Sequence, residues 1–248
     1  MILETMGGLG LFLLGMMLLT DGLKQLAGQA MKKLLARFVR GPFSGLTTGA
    51  LFTALIQSSS ATTLTTIGFV SAGLITFQQA VGVVFGANIG TTSTGWIVSL
   101  LGLKISLGAV SPPLILLGVL LRLFSRDRFA ALGGALAGFA LIFFGIGVMQ
   151  TGMEDLAARI DPASIPGDGL TGRFLLVLIG VVMTVVMQSS SAAVAATLIA
   201  VDSGAIGFEQ AAALVVGQNI GTTVTAAIAS IGASTPAKRT ALAHIAFN

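Results

Sequence analysis

The chain repeats itself. Residues 57–94 align with residues 188–225 at a constant offset of 131 and without a gap, and 20 of the 38 aligned positions are identical, where chance gives about two or three. The shared text includes Gln-Ser-Ser-Ser-Ala at 57–61 and 188–192 and Asn-Ile-Gly-Thr-Thr at 88–92 and 219–223. A weaker match at offset 130 pairs Gly15 with Gly145 and Gly22 with Gly152, so each copy begins with a helix upstream of the shared text. Any fold proposed for one copy has to hold for the other.

Composition decides the solvent. Of 248 residues, 54% are hydrophobic and 9% charged, against roughly a quarter charged in a soluble domain. The 33 glycines follow no collagen period; in an apolar chain they fit packed transmembrane helices, where small residues let backbones approach. An all-α integral membrane protein is therefore expected, with the lipid bilayer as its surroundings. The net charge of +4 arises from basic clusters between apolar runs, a distribution that argues against a nucleic-acid partner. The chain has no cysteine and one histidine, His244, which leaves thiol chemistry, zinc sites and a Ser-His-Asp triad without support. No acid-base or nucleophile constellation stands out, so an enzyme is not expected and no resident cofactor is called for.

Apolar runs divide the copies. Residues 1–128 form repeat 1, expected as a helix over 6–20, an interfacial amphipathic helix over 21–40, a re-entrant hairpin over 43–74, a broken helix over 77–101 and a helix over 105–121. Residues 129–248 form repeat 2, with a helix over 129–150, a hairpin over 174–203, a broken helix over 208–231 and the start of a further helix over 240–248. The hairpins follow from length: Phe43 to Ile56 and Phe174 to Met187 give about 21 Å of helix each, short of a hydrocarbon core of about 30 Å. The chain then turns at Gln-Ser-Ser-Ser, where polar backbone is tolerated only if protein buries it or it lines a cavity. The broken helices follow from Gly86 to Thr92 and Gly217 to Thr223, where glycines flank an Asn and two Thr inside a span.

With a hairpin crossing zero times net, each repeat crosses the membrane three times and the second is inverted. The clusters Lys24 to Arg40, Arg122 to Arg128, and Lys238 with Arg239 then share one side, while Glu4 and the acidic 154–168 stretch lie on the other; Lys104, Arg159 and Arg173 dissent. The positive-inside tendency makes the basic side cytoplasmic and puts the N-terminus outside.

Two inverted hairpins would bring both Gln-Ser-Ser-Ser turns to the midplane, where secondary transporters hold substrate. The serines open a half-helix, whose free N–H groups and positive dipole end suit an oxyanion. Gln57 and Gln188 add an amide, and Asn88, Thr91, Thr92 and their copies add the oxygens a small cation needs. Because the segments around these motifs lack Lys and Arg, a bound anion would need co-bound cations to balance its charge.

Gln-Ser-Ser-Ser-Ala-Thr-Thr followed by Gly-Ala-Asn-Ile-Gly-Thr-Thr, with a second Gln-Ser-Ser-Ser, resembles the type II sodium/phosphate cotransporter family from about Gly8 to the C-terminus. The resemblance implies sodium-coupled symport of inorganic phosphate by alternating access across the cytoplasmic membrane of a prokaryote, in a multi-pass protein. Phosphate would be held by Gln57, Ser58, Ser59, Ser60, Gln188, Ser189, Ser190 and Ser191. Co-transported Na+ would be held by Ser59, Ser60, Asn88, Thr91, Thr92, Ser190, Ser191, Asn219, Thr222 and Thr223. It also implies a homodimer and, in a full-length protein, a PhoU-like helical regulatory domain; the last helix of repeat 2 is expected either to continue past Asn248 or to be supplied elsewhere. Two alternatives stand beside it: a transporter of another small oxyanion or carboxylate, and a phosphate-sensing membrane subunit that does not transport.

Other residues have simpler expected roles. Glu209 and Gln78 are expected to cap the helices that follow them, Asp202 to be a solvated loop acid, and Pro112 and Pro113 to kink a helix. His244 has no evident partner in the sequence and is expected to pack.

Overall fold

A computed structural model describes residues 2–104, 107–159 and 169–248. They form ten α-helices and, among the described residues, no strand. In chain order these are α1 (Ile2–Phe38), α2 (Pro42–Ile56), α3 (Ser59–Ser71), α4 (Phe77–Ile97), α5 (Ser111–Phe124), α6 (Asp127–Ala157), α7 (Gly169–Met187), α8 (Ser190–Asp202), α9 (Phe208–Ala229) and α10 (Thr235–Phe247). A π-helical segment, Val98–Lys104, extends α4, and a 3-10 turn, Leu107–Val110, leads into α5. Among the described residues, five stretches are long and apolar enough to cross a membrane: Ile2–Ala27, Leu107–Phe124, Asp127–Ala157, Gly169–Met187 and Phe208–Ala229.

Several boundaries differ from the sequence expectation, each for a local reason. The helices expected over 6–20 and 21–40 are one continuous α1; Gly22 at their junction does not end the helix but packs against Ala131 of α6. The helix expected from 105 starts at Ser111 after the 3-10 turn, with Pro112 and Pro113 in its first turn. There a missing N–H costs nothing, so the prolines start α5 and do not kink it; residues 105 and 106 lie outside the described residues. The first arm of the second hairpin begins at Gly169, and its 19 residues give about 28 Å of helix. It is long enough to cross, unlike the 15-residue α2. The run expected from 240 begins at Thr235, where Pro236 sits in the first turn. The acidic 154–168 stretch falls mostly outside the described residues; α6 carries it to Ala157.

The largest correction concerns the two broken helices. α4 runs unbroken through Gly86–Thr92 and α9 through Gly217–Thr223. The glycines there are a packing face. On α4, Gly82, Gly86 and Gly90 recur every fourth residue, and a Cβ on them would strike the carbonyl oxygens of Pro42, Leu46 and Ala50 in turn. Gly49 of α2 reciprocates against Val83. This is the small-xxx-small mode of membrane-helix association, in which missing side chains let two backbones touch. In the second copy Gly180 of α7 meets the carbonyl of Leu214, and Gly217 of α9 meets that of Val177. Subtracting 131 from these four numbers returns Gly49, Val83, Gly86 and Leu46, so both copies pack arm on long helix in one register.

The chain divides into two compact units, one of residues 1–26 and 95–218, the other of residues 27–94 and 219–248. Neither coincides with a sequence repeat. In the first unit Phe12 and Met16 of α1, Phe143 and Ile146 of α6, and Ala195 and Ile199 of α8 form the core. Gly8, Gly15 and Gly22 of α1 seat against Gly145, Gly138 and Ala131 of α6, so these two helices run antiparallel. In the second unit Leu35, Val39, Phe52, Ile56 and Val83 form one cluster, and Ile67, Val70, Ala80, Ala226, Ala237 and Ala241 another.

Candidate functional site

Each Gln-Ser-Ser-Ser segment is a tight turn between two helices. Gln57 ends α2 in the left-handed region at φ 58°, and Gln188 ends α7 at φ 52°. Left-handed backbone is uncommon for a residue with a Cβ, and its appearance at both copies marks a turn built to one plan. The next residue is extended, Ser58 at φ −149° and Ser189 at φ −153°, and starts the following helix as its N-cap. The Ser58 hydroxyl accepts from the Ala61 N–H at 3.2 Å, and the Ser189 hydroxyl from the Ala192 N–H at 3.2 Å. The first serine of each triplet thus satisfies one of the N–H groups a helix start leaves open. The N–H groups of Ser59 and Ser60, and of Ser190 and Ser191, occupy the first two helical positions, where no intrahelical carbonyl reaches.

In the unit of residues 27–94 and 219–248, the Gln57 amide is fixed by α4. Its Nε2 donates to the Ala54 carbonyl and to Ser93 Oγ at 3.0 Å, and its Oε1 accepts from Thr94 Oγ1 at 2.8 Å. The two arms are joined by a 2.7 Å bond between the buried hydroxyls of Thr53 and Thr62. Ser60, a candidate ligand of α3, shares a narrow cleft with Thr222, a candidate ligand of α9 that is 162 positions further along the sequence. Thr63 and Leu64 of α3, Thr225 and Ala226 of α9, and His244 of α10 complete the lining. The Thr63 hydroxyl is buried there with no hydrogen-bond partner. Asn88 donates from Nδ2 to Asn248 Oδ1 at 3.1 Å. Thr91, Thr92 and Thr223 donate to the carbonyls of Ala87, Ile89 and Ile220 within their own helices. A hydroxyl whose hydrogen is committed in this way turns its lone pairs outward as an acceptor. Ser59 is buried, whereas Thr92 and Asn219 are exposed.

In the other unit Gln188 is exposed, and its Nε2 donates to the Val185 carbonyl. Ser189, Ser190 and Ser191 are half-buried. The arms are tied through Gln218, which is fully buried. Its Nε2 donates to Thr197 Oγ1 at 2.7 Å and to the Ala193 carbonyl at 3.2 Å, while its backbone carbonyl accepts from Thr184 Oγ1 at 3.0 Å.

Sequence reasoning missed Ser93, Thr94, Thr63, Thr225 and Asn248. Thr94 and Thr225 were within reach, being identical at the end of the aligned text. His244 has the partner the sequence did not show, since Asn248 Nδ2 lies 3.0 Å from its Nδ1. The expected caps also move by one residue. Gln79 Oε1 accepts from the Thr76 N–H at 2.8 Å and Gln210 Oε1 from the Gly207 N–H at 2.7 Å. Gln78 and Glu209 do not cap, because a side chain returns to the N-cap from the third helical position. Glu209 instead pairs with Arg173 at 3.0 Å. Asp202 is an exposed acid that accepts from Gln150 at 3.3 Å.

The sequence profile of the Na+/Pi-cotransporter family matches residues 11–151 and 164–247. The chain belongs to the Na+/Pi-cotransporter family. It is 33% identical over 241 residues to "Uncharacterized protein YqeW" of Bacillus subtilis (strain 168), covering 96% of this chain and 76% of that protein. It is 29% identical over 248 residues to "Putative inorganic phosphate export protein YjbB" of Escherichia coli (strain K12), covering 99% of this chain but 45% of that protein. A 77-residue stretch is 39% identical to "Sodium-dependent phosphate transport protein 2B" of Homo sapiens, 31% of this chain and 11% of the human protein. No solved structure matches the chain. Membership in a transporter family and five helices fit to cross a bilayer make this a multi-pass membrane protein.

Proposed function

We propose that the protein is a sodium-coupled symporter of inorganic phosphate, working by alternating access in the cytoplasmic membrane of a prokaryote with its N-terminus outside. The observation that carries the reading is the identical construction of the two Gln-Ser-Ser-Ser turns, each a left-handed Gln followed by a serine-capped helix start. Two helix starts contribute about half a positive charge each and a set of N–H donors. In this reading Gln57, Ser59, Ser60, Gln188, Ser190 and Ser191 hold phosphate, while Ser58 and Ser189 hold the turns that present them. A phosphate carrying more than one negative charge is still undercompensated, and Na+ supplies the rest. Asn88, Thr91, Thr92, Asn219, Thr222 and Thr223, with hydroxyls of the serine triplets, offer neutral oxygens for it. The antiparallel packing of α1 on α6, the helices that open the two repeats, agrees with an inverted pair.

The export named for the Escherichia coli relative favours a second reading, in which phosphate leaves the cell. One assay separates them. Full-length protein in proteoliposomes is expected to accumulate radiolabelled phosphate with an inward sodium gradient and not with potassium, and Gln57→Ala or Gln188→Ala to remove at least about 90% of that flux. Equal flux in potassium overturns the coupling. Net flux only out of preloaded right-side-out cells favours export.

A further inference from the structure

Two helices of one unit, α4 and α10, meet at Asn88. Its Nδ2 donates to Asn248 Oδ1 at 3.1 Å. Asn248 in turn places its Nδ2 3.0 Å from His244 Nδ1 and 2.8 Å from the His244 carbonyl. Two rows of atoms therefore fix the direction of every donor. An amide nitrogen has two hydrogens and accepts nothing. One hydrogen goes to the backbone carbonyl of His244, which only accepts, so the other must go to Nδ1, which is then the unprotonated nitrogen of the ring. The Asn248 oxygen faces the other way, and Asn88 can meet it only with its NH2 group. The Asn88 oxygen is thereby turned away from α10.

The surroundings hold this arrangement in place. His244 is 1% exposed, and the residues of α3 and α9 that line its cleft are Ser60, Thr63, Leu64, Thr222, Thr225 and Ala226, none of them charged or titratable. One helical turn from Asn88 and beside Asn248, the rings of Phe85 and Phe247 stack with centroids 4.2 Å apart, which pins α10 to α4 where the two asparagines meet. A rotation of the Asn88 amide would set two oxygens against each other across that contact, leaving both unpaired in a half-buried place.

We propose that His244 is a positioning residue: its carbonyl and its Nδ1 together take both hydrogens of the Asn248 amide, and the amide so held sets that of Asn88 with its oxygen presented as a ligand atom. The proposal rests on the reading of Asn88 as an oxygen donor to the co-transported cation. No atom of His244 touches that cation. It acts two hydrogen bonds away, by deciding which end of an amide is presented.

With histidine labelled with nitrogen-15 in the full chain, the pair of ring signals lost in His244→Leu is expected as an unprotonated, hydrogen-bonded Nδ1 and a protonated Nε2, with the Nδ1 signal moving in Asn248→Leu. Uptake is measured alongside as a function of sodium. His244→Leu keeps the backbone carbonyl but removes the ring acceptor, freeing one hydrogen of the Asn248 amide, and is expected to raise the half-saturating sodium concentration about tenfold, with half-saturation by phosphate at saturating sodium changed less than about twofold. His244→Asn places an amide oxygen near the position of Nδ1 and is expected to recover most of that loss. A protonated Nδ1, or a sodium dependence in His244→Leu equal to the unaltered protein, overturns the proposal. So does a His244→Asn variant no better than His244→Leu. If the unaltered protein transports without sodium, the coupled-transport reading fails separately, and the nitrogen spectrum still decides whether His244 sets the amide chain.

Discussion

The hairpin of α2 and α3 and the hairpin of α7 and α8 share one turn but are tied together by different atoms. In the first, Thr53 and Thr62 bond hydroxyl to hydroxyl, and Gln57 is gripped by Ser93 and Thr94. In the second, alanine stands at 193 where the first has Thr62, and glutamine stands at 218 where the first has Ala87. The long side chain of Gln218 spans the gap that the lost hydroxyl leaves, reaching Thr197 and the Ala193 carbonyl. Val224 replaces Ser93 and cannot hold an amide. What the two copies keep is the backbone of the turn and the glycine contacts beneath it; what they exchange is the polar cross-link between arms.

The most damaging substitutions should be the ones that both copies share. In Gly86→Ala the new methyl group meets the Leu46 carbonyl, and in Gly217→Ala it meets that of Val177, so each is expected to cost about 3 kcal/mol, at the upper end for overpacking a tight contact. Thermal unfolding in detergent measures it, and Gly68→Ala, with nothing within 4 Å of the added carbon, serves as the harmless control. A large loss in one copy alone would break the equivalence of the two packings.

Next come the cross-links, where the copies should part. Gln218→Leu removes both side-chain hydrogen bonds from α9 to α8, leaving Thr197 Oγ1 bonded only to the Ala193 carbonyl, and is expected to cost about 2 kcal/mol, whereas Thr62→Ala, which removes one hydroxyl pair, is expected to cost about 1 kcal/mol. The same unfolding assay decides, and a Gln218→Leu protein as stable as the parent would show that its network does not bear on stability. The smallest effects should again be equal: Ser58→Ala and Ser189→Ala each remove one N-cap, worth about 1 kcal/mol. Unequal losses there would mean that the turns differ in more than their cross-links.

Much of the architecture is legible in the sequence. Sparse charge and long apolar runs gave membrane helices, and the duplicated text located both turns to the residue, because a Gln-Ser-Ser-Ser run between short apolar segments leaves the chain little else to do. The same text misled at Gly86 and Gly217. Glycines around an Asn and two Thr are consistent with a broken helix or with a helix pressed against another, and local sequence does not separate the two. The deciding fact is a neighbour, the α2 or α7 backbone, that arrives from elsewhere in the chain.

The sequence by itself determined the solvent, the helices and the two turns, since hydrophobic run length and residue chemistry act within a few turns of helix. It also carried the family, through motifs that recur at a fixed separation. Only the tertiary structure decided that α4 and α9 run unbroken, that Ser60 and Thr222 share a cleft, that Gln57 answers to Ser93 and Thr94, and that His244 reaches Asn88 through Asn248. Those are contacts between residues tens to more than a hundred positions apart, fixed by which backbones can approach closely enough for a hydrogen bond of about 3 Å to close.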